Sequence, residues 1–334
     1  MAGPLKSPAI SVGDPMPRIG LPIAAGGMFD SWDPRSAGQA RIYWLGTPSD
    51  DLLSAACAQR LADCETLLHV VTKSGGATAP TTVSWLIDTQ GQFAQVFGGK
   101  EPLAVVVDAA ARVAAVVSAP AAEQVAVLAE KLHRDVAGAE APVLLMERVA
   151  DAALCQALID YWQGRDKLTD TVDAAGGNVA RADLKRRQDV RVDDPALLER
   201  LQNALVRRVS PLILQAFHTP INVIEAPVVG CYDVDSGGWF RRHRDNTTPM
   251  TANRQFAVSL NLNADGEYDG GEVRFPEFGR KLYRPVAGGA LVFSCSLLHE
   301  VVPVTRGRRI GLFTFMSSRG RDPRLAAQQP PPRR

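Results

Sequence analysis

The sequence has little of what secreted, membrane-bound or nucleic-acid-binding chains carry. Its five cysteines, Cys57, Cys64, Cys155, Cys231 and Cys295, are odd in number and dispersed, with no CxxC pair. That argues against a disulfide framework and for reduced thiols in a cytoplasmic protein. Charge of one sign is also missing: a formal net charge of +1 provides no global field for nucleic acid or an acidic membrane surface. Long apolar runs are absent, and the most apolar stretch, 103–117, is broken by Asp108 and Arg112 and is too short to cross a bilayer. The opening residues show neither the basic nor the apolar region of a secretion signal, so Asn246-Thr247-Thr248 reads as a chance sequon. Histidine is scarce at five residues, which makes the positions of His243 and His299 informative.

What is present is enough length for two domains, and 46% hydrophobic residues with which to bury two cores. Residues 1–118 read as an α/β domain. It has strands at 40–46 and 67–72, a helix at 49–64, a hairpin over 83–98 turned at Thr89-Gln90-Gly91, and a closing helix at 101–117. Residues 119–141 turn to Ala, Glu and Lys between Pro120 and Pro142 and read as a helical linker. A second domain over 142–317 opens with a strand and a helix at 151–163. A polar, basic stretch at 176–194 reads as an exposed loop or a lid, and the amphipathic helix 195–217 follows it. Strands fill the rest to Phe315, and 318–334 has the Pro, Arg and Gln content of a disordered tail.

Within the second domain, RRHRDN (241–246) and LLHEVVPVTRGRRIGLF (297–313) carry the chemistry. His243 and Asp245 alternate along an extended segment and therefore share a face. With His299 they supply two imidazoles and one carboxylate, a set suited to a redox-active Fe(II) that keeps open positions. Arg309 follows the turn signalled by Arg306-Gly307, at the start of an apolar run. From there it can hold a carboxylate by two hydrogen bonds. Arg308 is its neighbour, so only one of the two faces inward from a strand.

Residues 231–316 resemble the catalytic core of the prolyl-4-hydroxylase-like branch of the Fe(II)/2-oxoglutarate-dependent dioxygenases. Besides the four residues above, GGEVRFPEFG (270–279), RPVAGGALVFS (284–294) and HEVVPV (299–304) stand in that family's order. The resemblance implies an α+β double-stranded β-helix, or jelly roll, with flanking helices and with sharp turns at Gly270-Gly271 and Gly288-Gly289. It implies Fe(II) on His243, Asp245 and His299, with 2-oxoglutarate and O2 as cosubstrates and ascorbate as a candidate reductant. Arg309, rather than Arg308, would hold the far carboxylate of 2-oxoglutarate, with Tyr232, Ser259 and Asn261 as further cosubstrate contacts. The reaction implied is hydroxylation of an unactivated C–H in a small molecule, amino acid or polypeptide. Asp245 stands where halogenating relatives carry a small residue, which favours hydroxylation. Arg241, Arg254 and Arg274 are candidates for binding an acidic substrate.

The first domain resembles a thioredoxin-like fold of the peroxiredoxin type. VGDPMPRIGLP (12–22) looks like its opening segment, Pro80-Thr81 stands where such folds carry a cis-proline, and WLIDTQG looks like the strand that follows. Where such enzymes place their cysteine, this chain reads TPSDDLL (47–53), with two acids and no thiol, so the domain is expected to be redox-inactive. That leaves it as a packing or partner-binding module and a candidate surface for homo-oligomerisation. Two alternatives stand beside the oxygenase reading: a metal-binding sensor without turnover, and a peroxidase acting through Cys57.

Overall fold

The computed structural model describes residues 10–33, 36–74, 83–98, 100–135, 140–174, 177–264 and 266–318. Pro80-Thr81 and the expected tail from 319 onward lie outside them. The chain divides into two compact units, one of residues 1–140 with 275–281 and one of 141–274 with 282–334.

The first unit begins with a hairpin of β1 (Gly20–Pro22) and β2 (Met28–Asp30). Then come β3 (Arg41–Leu45), α1 (Ala55–Asp63), β4 (Leu67–Thr72), β5 (Val83–Ile87), α2 (Gln92–Phe97), β6 (Leu103–Val107), β7 (Val113–Ser118) and α3 (Ala122–Asp135). The sheet order is β5-β4-β3-β6-β7. Strands β3, β4 and β5 run parallel, β6 is antiparallel to β3, and β7 is antiparallel to β6. The apolar runs of β3 and β6 are buried along their whole length because both faces of the sheet are covered.

Two expectations fail in this unit, each for a local reason. Residues 83–98 form a strand and a helix, not a hairpin. The Asp88 carboxylate accepts from the Gln92 and Phe93 amides at 2.8 and 2.9 Å and caps α2, whose Phe93 and Phe97 enter the core. Residues 101–117 form two strands, not a closing helix. Consecutive valines favour extended backbone, and Asp108 closes the turn between them by accepting from the Arg112 amide at 2.8 Å. The expected linker is α3, whose Val125 and Ala129 pack with Ile42, Trp44 and Leu61. The cis peptide among the described residues is Glu101–Pro102.

The second unit runs β8 (Leu144–Met146), α4 (Ala152–Gln163), β9 (Leu168–Thr169), β10 (Thr171–Ala174), β11 (Gly177–Ala180), β12 (Lys185–Arg186) and β13 (Gln188–Arg191). Next are α5 (Pro195–Ala204) and α6 (Ser210–Phe217), joined by one π turn at Leu205–Val209, then β14 (Val223–Ile224), β15 (Val228–Asp233), β16 (Trp239–His243) and β17 (Phe256–Asn261). The chain closes with β18 (Tyr268–Gly270), β19 (Val273–Arg274), β20 (Leu282–Tyr283), β21 (Ala290–Ser294), β22 (His299–Val301) and the long β23 (Val304–Ser317).

Two sheets result, in the jelly-roll manner: β8-β21-β17-β23-β15-β13-β9, and β12-β16-β22-β19-β20. Leu154, Leu158, Leu201, Leu205 and Ile213 from the helices meet Val229, Val258, Leu260, Val292 and Leu312 from the long sheet, which closes one face of it. The opposite face is left for the site.

The stretch 176–194, expected to be an exposed loop or lid, instead supplies β11, β12 and β13. Val190 and Val192 pack toward the helices, while Lys185 and Asp189, at alternate positions, are buried on the other face.

Candidate metal centre

β16 and β22 lie side by side with His243 opposite His299, and a register shift between Phe240 and His243 tilts the end of β16. The Asp245 amide donates to the Cys295 carbonyl at 3.0 Å, which fixes the turn that brings its carboxylate back over the two rings. One ligand atom from each of His243, Asp245 and His299 lies within 4.8 Å of the others. Nε2 of His243 is 3.4 Å from one Asp245 oxygen, and Nε2 of His299 is 3.6 Å from the other.

Each ring is pinned at its far nitrogen. His243 Nδ1 donates to the Arg241 carbonyl at 2.7 Å, and His299 Nδ1 to the Leu297 carbonyl at 3.1 Å. A carbonyl can only accept, so both Nε2 atoms present lone pairs to the same point, as a metal requires. Phe240 stacks on the His243 ring at 3.6 Å and Phe293 meets the His299 ring edge-on at 4.6 Å, holding both rings in orientation. Burial, helped by His243, pushes the His299 imidazole down to about 4 against the pull of Asp245, which keeps it neutral near pH 7. Burial alone would raise the Asp245 carboxyl, but His299 and His243 more than offset it and hold it below the usual carboxylate range. Two neutral imidazoles and one carboxylate fit a divalent iron.

The three residues line a cavity of about 540 Å³, together with Lys185, Arg187, Asp189, Tyr232, Ser259 and Phe313 among others. Arg309 stands behind Ser259. It is 2% exposed, donates to Ser259 Oγ at 2.9 Å and to the Gly271 carbonyl at 2.5 Å, and has no carboxylate partner among the described residues. Gly271, at φ +73°, allows this approach, since a Cβ there would come within 3.1 Å of Arg309 Cδ. Arg308 turns the other way, onto Asp233, with its side chain 58% exposed.

The remaining sequence candidates divide. Tyr232 and Ser259 are buried and line the cavity. Asn261 does not: its amide donates to the Asn263 and Pro285 carbonyls and its oxygen accepts from Tyr268, so its groups are spent on the fold. Of the arginines considered for substrate, Arg254 lines the cavity but is locked on Glu225 and over the Phe315 ring. Arg274 is held by Glu300, and Arg241 lies over Trp239. Sequence reasoning missed Lys185, Arg187 and Asp189. The signal lay in DVRV (189–192), where charged and apolar residues alternate, and in Lys185 and Arg187, which stand at the parity of Asp189.

The profile of the 2OG-Fe(II) oxygenase superfamily matches residues 228–317. A PKHD-type hydroxylase of Teredinibacter turnerae is 31% identical over 179 residues, which span 51% of this chain and 77% of that protein. The chain belongs to the 2OG-Fe(II) oxygenase superfamily. A PKHD-type hydroxylase of Saccharophagus degradans is 27% identical over 165 residues, 46% of this chain and 71% of that protein. Among solved structures, a Pseudomonas putida prolyl-4-hydroxylase aligns over 56% of this chain and 97% of its own, with 24% identity and a TM-score of 0.40. As a 2OG-Fe(II) oxygenase the protein is a hydroxylase that uses Fe(II), 2-oxoglutarate and O2. No helix among the described residues is long and apolar enough to cross a membrane.

Proposed function

We propose that His243, Asp245 and His299 hold the Fe(II), that Arg309 and Ser259 receive the far carboxylate of 2-oxoglutarate, and that the enzyme hydroxylates an unactivated C–H of an amino acid, a polypeptide side chain or a small molecule. When bound, the iron supplies oxidative decarboxylation of 2-oxoglutarate to succinate and CO2, coupled to C–H oxidation by O2. The chain does the rest. His243 and His299 offer fixed Nε2 donors, Asp245 supplies the one negative ligand, and the cavity sets which C–H faces them. Arg309, buried without a carboxylate partner among the described residues, provides the charge that a diacid completes.

The observation that carries this reading is the convergence of three ligand atoms within 4.8 Å on one cavity that also has Arg309 behind its wall. The test is succinate release from anaerobically reconstituted protein after admission of O2, over a panel of amino acids and peptides, compared with His243→Ala. Equal release from both would sink the assignment of the ligands.

For the first unit the reading is a redox-inactive thioredoxin-like domain, reaching from the start of the chain through α3 and serving as a contact module for a homo-oligomer. Three parallel strands extended by two antiparallel pairings, β3 with β6 and β6 with β7, in the order β5-β4-β3-β6-β7 with helices between, support the fold. Light scattering of the full chain tests the oligomer, and a monomer at all concentrations would remove it. A cytoplasmic location fits five buried cysteines, none in a disulfide.

A further inference from the structure

The cavity wall carries a second guanidinium that the reaction has not yet used. Arg187 donates from Nε and Nη2 to the two oxygens of Asp189 at 2.5 and 3.0 Å, and from Nη1 to the Tyr232 hydroxyl at 3.3 Å. Its guanidinium carbon sits 4.2 Å from the Phe313 ring centroid and 5.5 Å from that of Tyr232. Gly230 makes room for the Arg187–Asp189 pair, because a Cβ there would fall 2.7 Å from Arg187 Nε and from an Asp189 oxygen.

An arginine only donates, so the Tyr232 oxygen is the acceptor and its own hydrogen is left over. No acceptor for that hydrogen occurs among the described residues, although Tyr232 is 1% exposed and faces the cavity. Ser259 is in the same position. Its oxygen accepts from Arg309, and its hydrogen has no acceptor among the described residues. Arg309 and Tyr232 are directly paired across β15 and β23, and the Arg309 guanidinium carbon is likewise 5.5 Å from the Tyr232 ring centroid. Two buried hydroxyls, each backed by a guanidinium and each with an unclaimed hydrogen, therefore face one cavity. Their complement is an acceptor-only group with several lone pairs, and a carboxylate is such a group.

We propose that Arg187 is a positioning residue that turns the Tyr232 hydroxyl into the cavity, where it donates to the distal carboxylate of 2-oxoglutarate alongside the Arg309–Ser259 pair. The proposal rests on the cosubstrate reading above. Arg187 acts only through Tyr232, so the two residues are coupled in cosubstrate binding and stand apart from the chemical step.

The test is a double-mutant cycle on 2-oxoglutarate affinity, measured by calorimetry on protein loaded with Mn(II), with KM and kcat for succinate release as a second readout. Tyr232→Phe and Arg187→Met are each expected to weaken binding about tenfold, and the double variant by about the same, with kcat at saturating 2-oxoglutarate little changed. Arg187→Met leaves Asp189 paired with Lys185 at 2.8 Å, so no buried carboxylate is orphaned. Arg187→Gln, which keeps one donor, is expected to lose less than Arg187→Met, and it carries the cycle if the methionine variant does not fold. Additive losses, an unchanged affinity in the Arg187 variants, or a loss confined to substrate-stimulated turnover would each overturn the proposal. Failure of the wild-type protein to bind 2-oxoglutarate would instead overturn the cosubstrate assignment beneath it.

Discussion

Each unit of this chain buries an arginine, a tyrosine and a histidine, and the two trios differ in what surrounds them. In the first unit Arg41, Tyr43 and His69 lie within the sheet core, with Tyr43 stacked on His69 at 5.1 Å and Phe29 tilted over His69 at 4.9 Å. Arg41 reaches the Ser31 carbonyl at 2.6 Å, yet Arg41 Nε, the Tyr43 hydroxyl and both ring nitrogens of His69 have no hydrogen-bond partner among the described residues. In the second unit, His299 and Tyr232 line a cavity and Arg309 backs its wall, each held by a hydrogen bond that orients it. The lesson is that burial of polar groups marks a cost, whereas their convergence on a shared space marks a site. A carboxylate on that space, Asp245, joins His299 in the second unit; among the described residues no such cluster includes His69.

The sharpest way to break the comparison is to remove the histidine from each. His243→Ala or His299→Ala should abolish Fe(II) retention and lower succinate release at least about a hundredfold. His69→Phe, which swaps an unsatisfied buried ring for an apolar one, should leave release near wild type. Iron content by metal analysis and succinate release in both variants decide it. Next comes the arginine: Arg309→Met should raise the KM for 2-oxoglutarate roughly 10- to 100-fold, since a hydrogen bond to a charged group contributes about 1.5–3 kcal/mol. Arg41→Met should leave that KM unchanged. If both variants moved it alike, the first unit would be part of the cosubstrate machinery.

Much of the second unit is legible in the residues themselves. His243 and Asp245 share a face because they alternate on extended backbone, and Arg309 and Arg308 must point opposite ways for the same reason. The structure brings His243, Asp245 and His299 together and turns Arg309 inward, with Ser259 and Tyr232 beside it. Asn261 was not separable from Ser259 on parity alone, since only the tertiary partners Tyr268 and Pro285 decide where its amide goes. The basic stretch 185–192 reads as solvated if charge is taken to mean exposure. Its inward charges are stable only because Asp189 lies between Lys185 and Arg187, and that is a property of the fold. In the first unit the errors are ones of period: valine runs taken for a helix, and a capped helix taken for the second arm of a hairpin.

A third contrast is in acid. Burial, reinforced by Arg41, pushes the His69 imidazole down to about 3 from an ordinary 6.5, so the folded first unit holds it neutral where the unfolded chain protonates it. The stability this protects is intact above about pH 6.5. It is lost as pH falls toward 3, at up to about 1.4 kcal/mol per pH unit. Urea unfolding of the full chain at pH 7, 5 and 4, followed by the fluorescence of the first unit's Trp44 and Trp85 in a variant lacking the other tryptophans, should show the loss. His69→Phe should flatten it.

The smallest effect is expected at the thiol that a peroxidase reading would need. Cys57 sits near the start of α1, where Ser54 Oγ caps its amide at 3.2 Å, a setting that in a redox enzyme would favour thiolate. Here burial pushes the thiol up by more than Arg60 pulls it down, and Glu123 adds a smaller upward push. The Arg60 guanidinium is also paired with Glu123 at 2.6 Å and Glu130 at 2.8 Å. Near neutral pH the residue therefore stays a small apolar side chain packed with Leu52 and Leu61. Cys57→Ala is expected to cost on the order of 1 kcal/mol in stability and to leave both peroxide consumption and succinate release where they were. Peroxide consumption that fell in this variant would give the first unit a chemistry of its own, and the distinction between a packed trio and a working one would no longer separate the two halves of the chain.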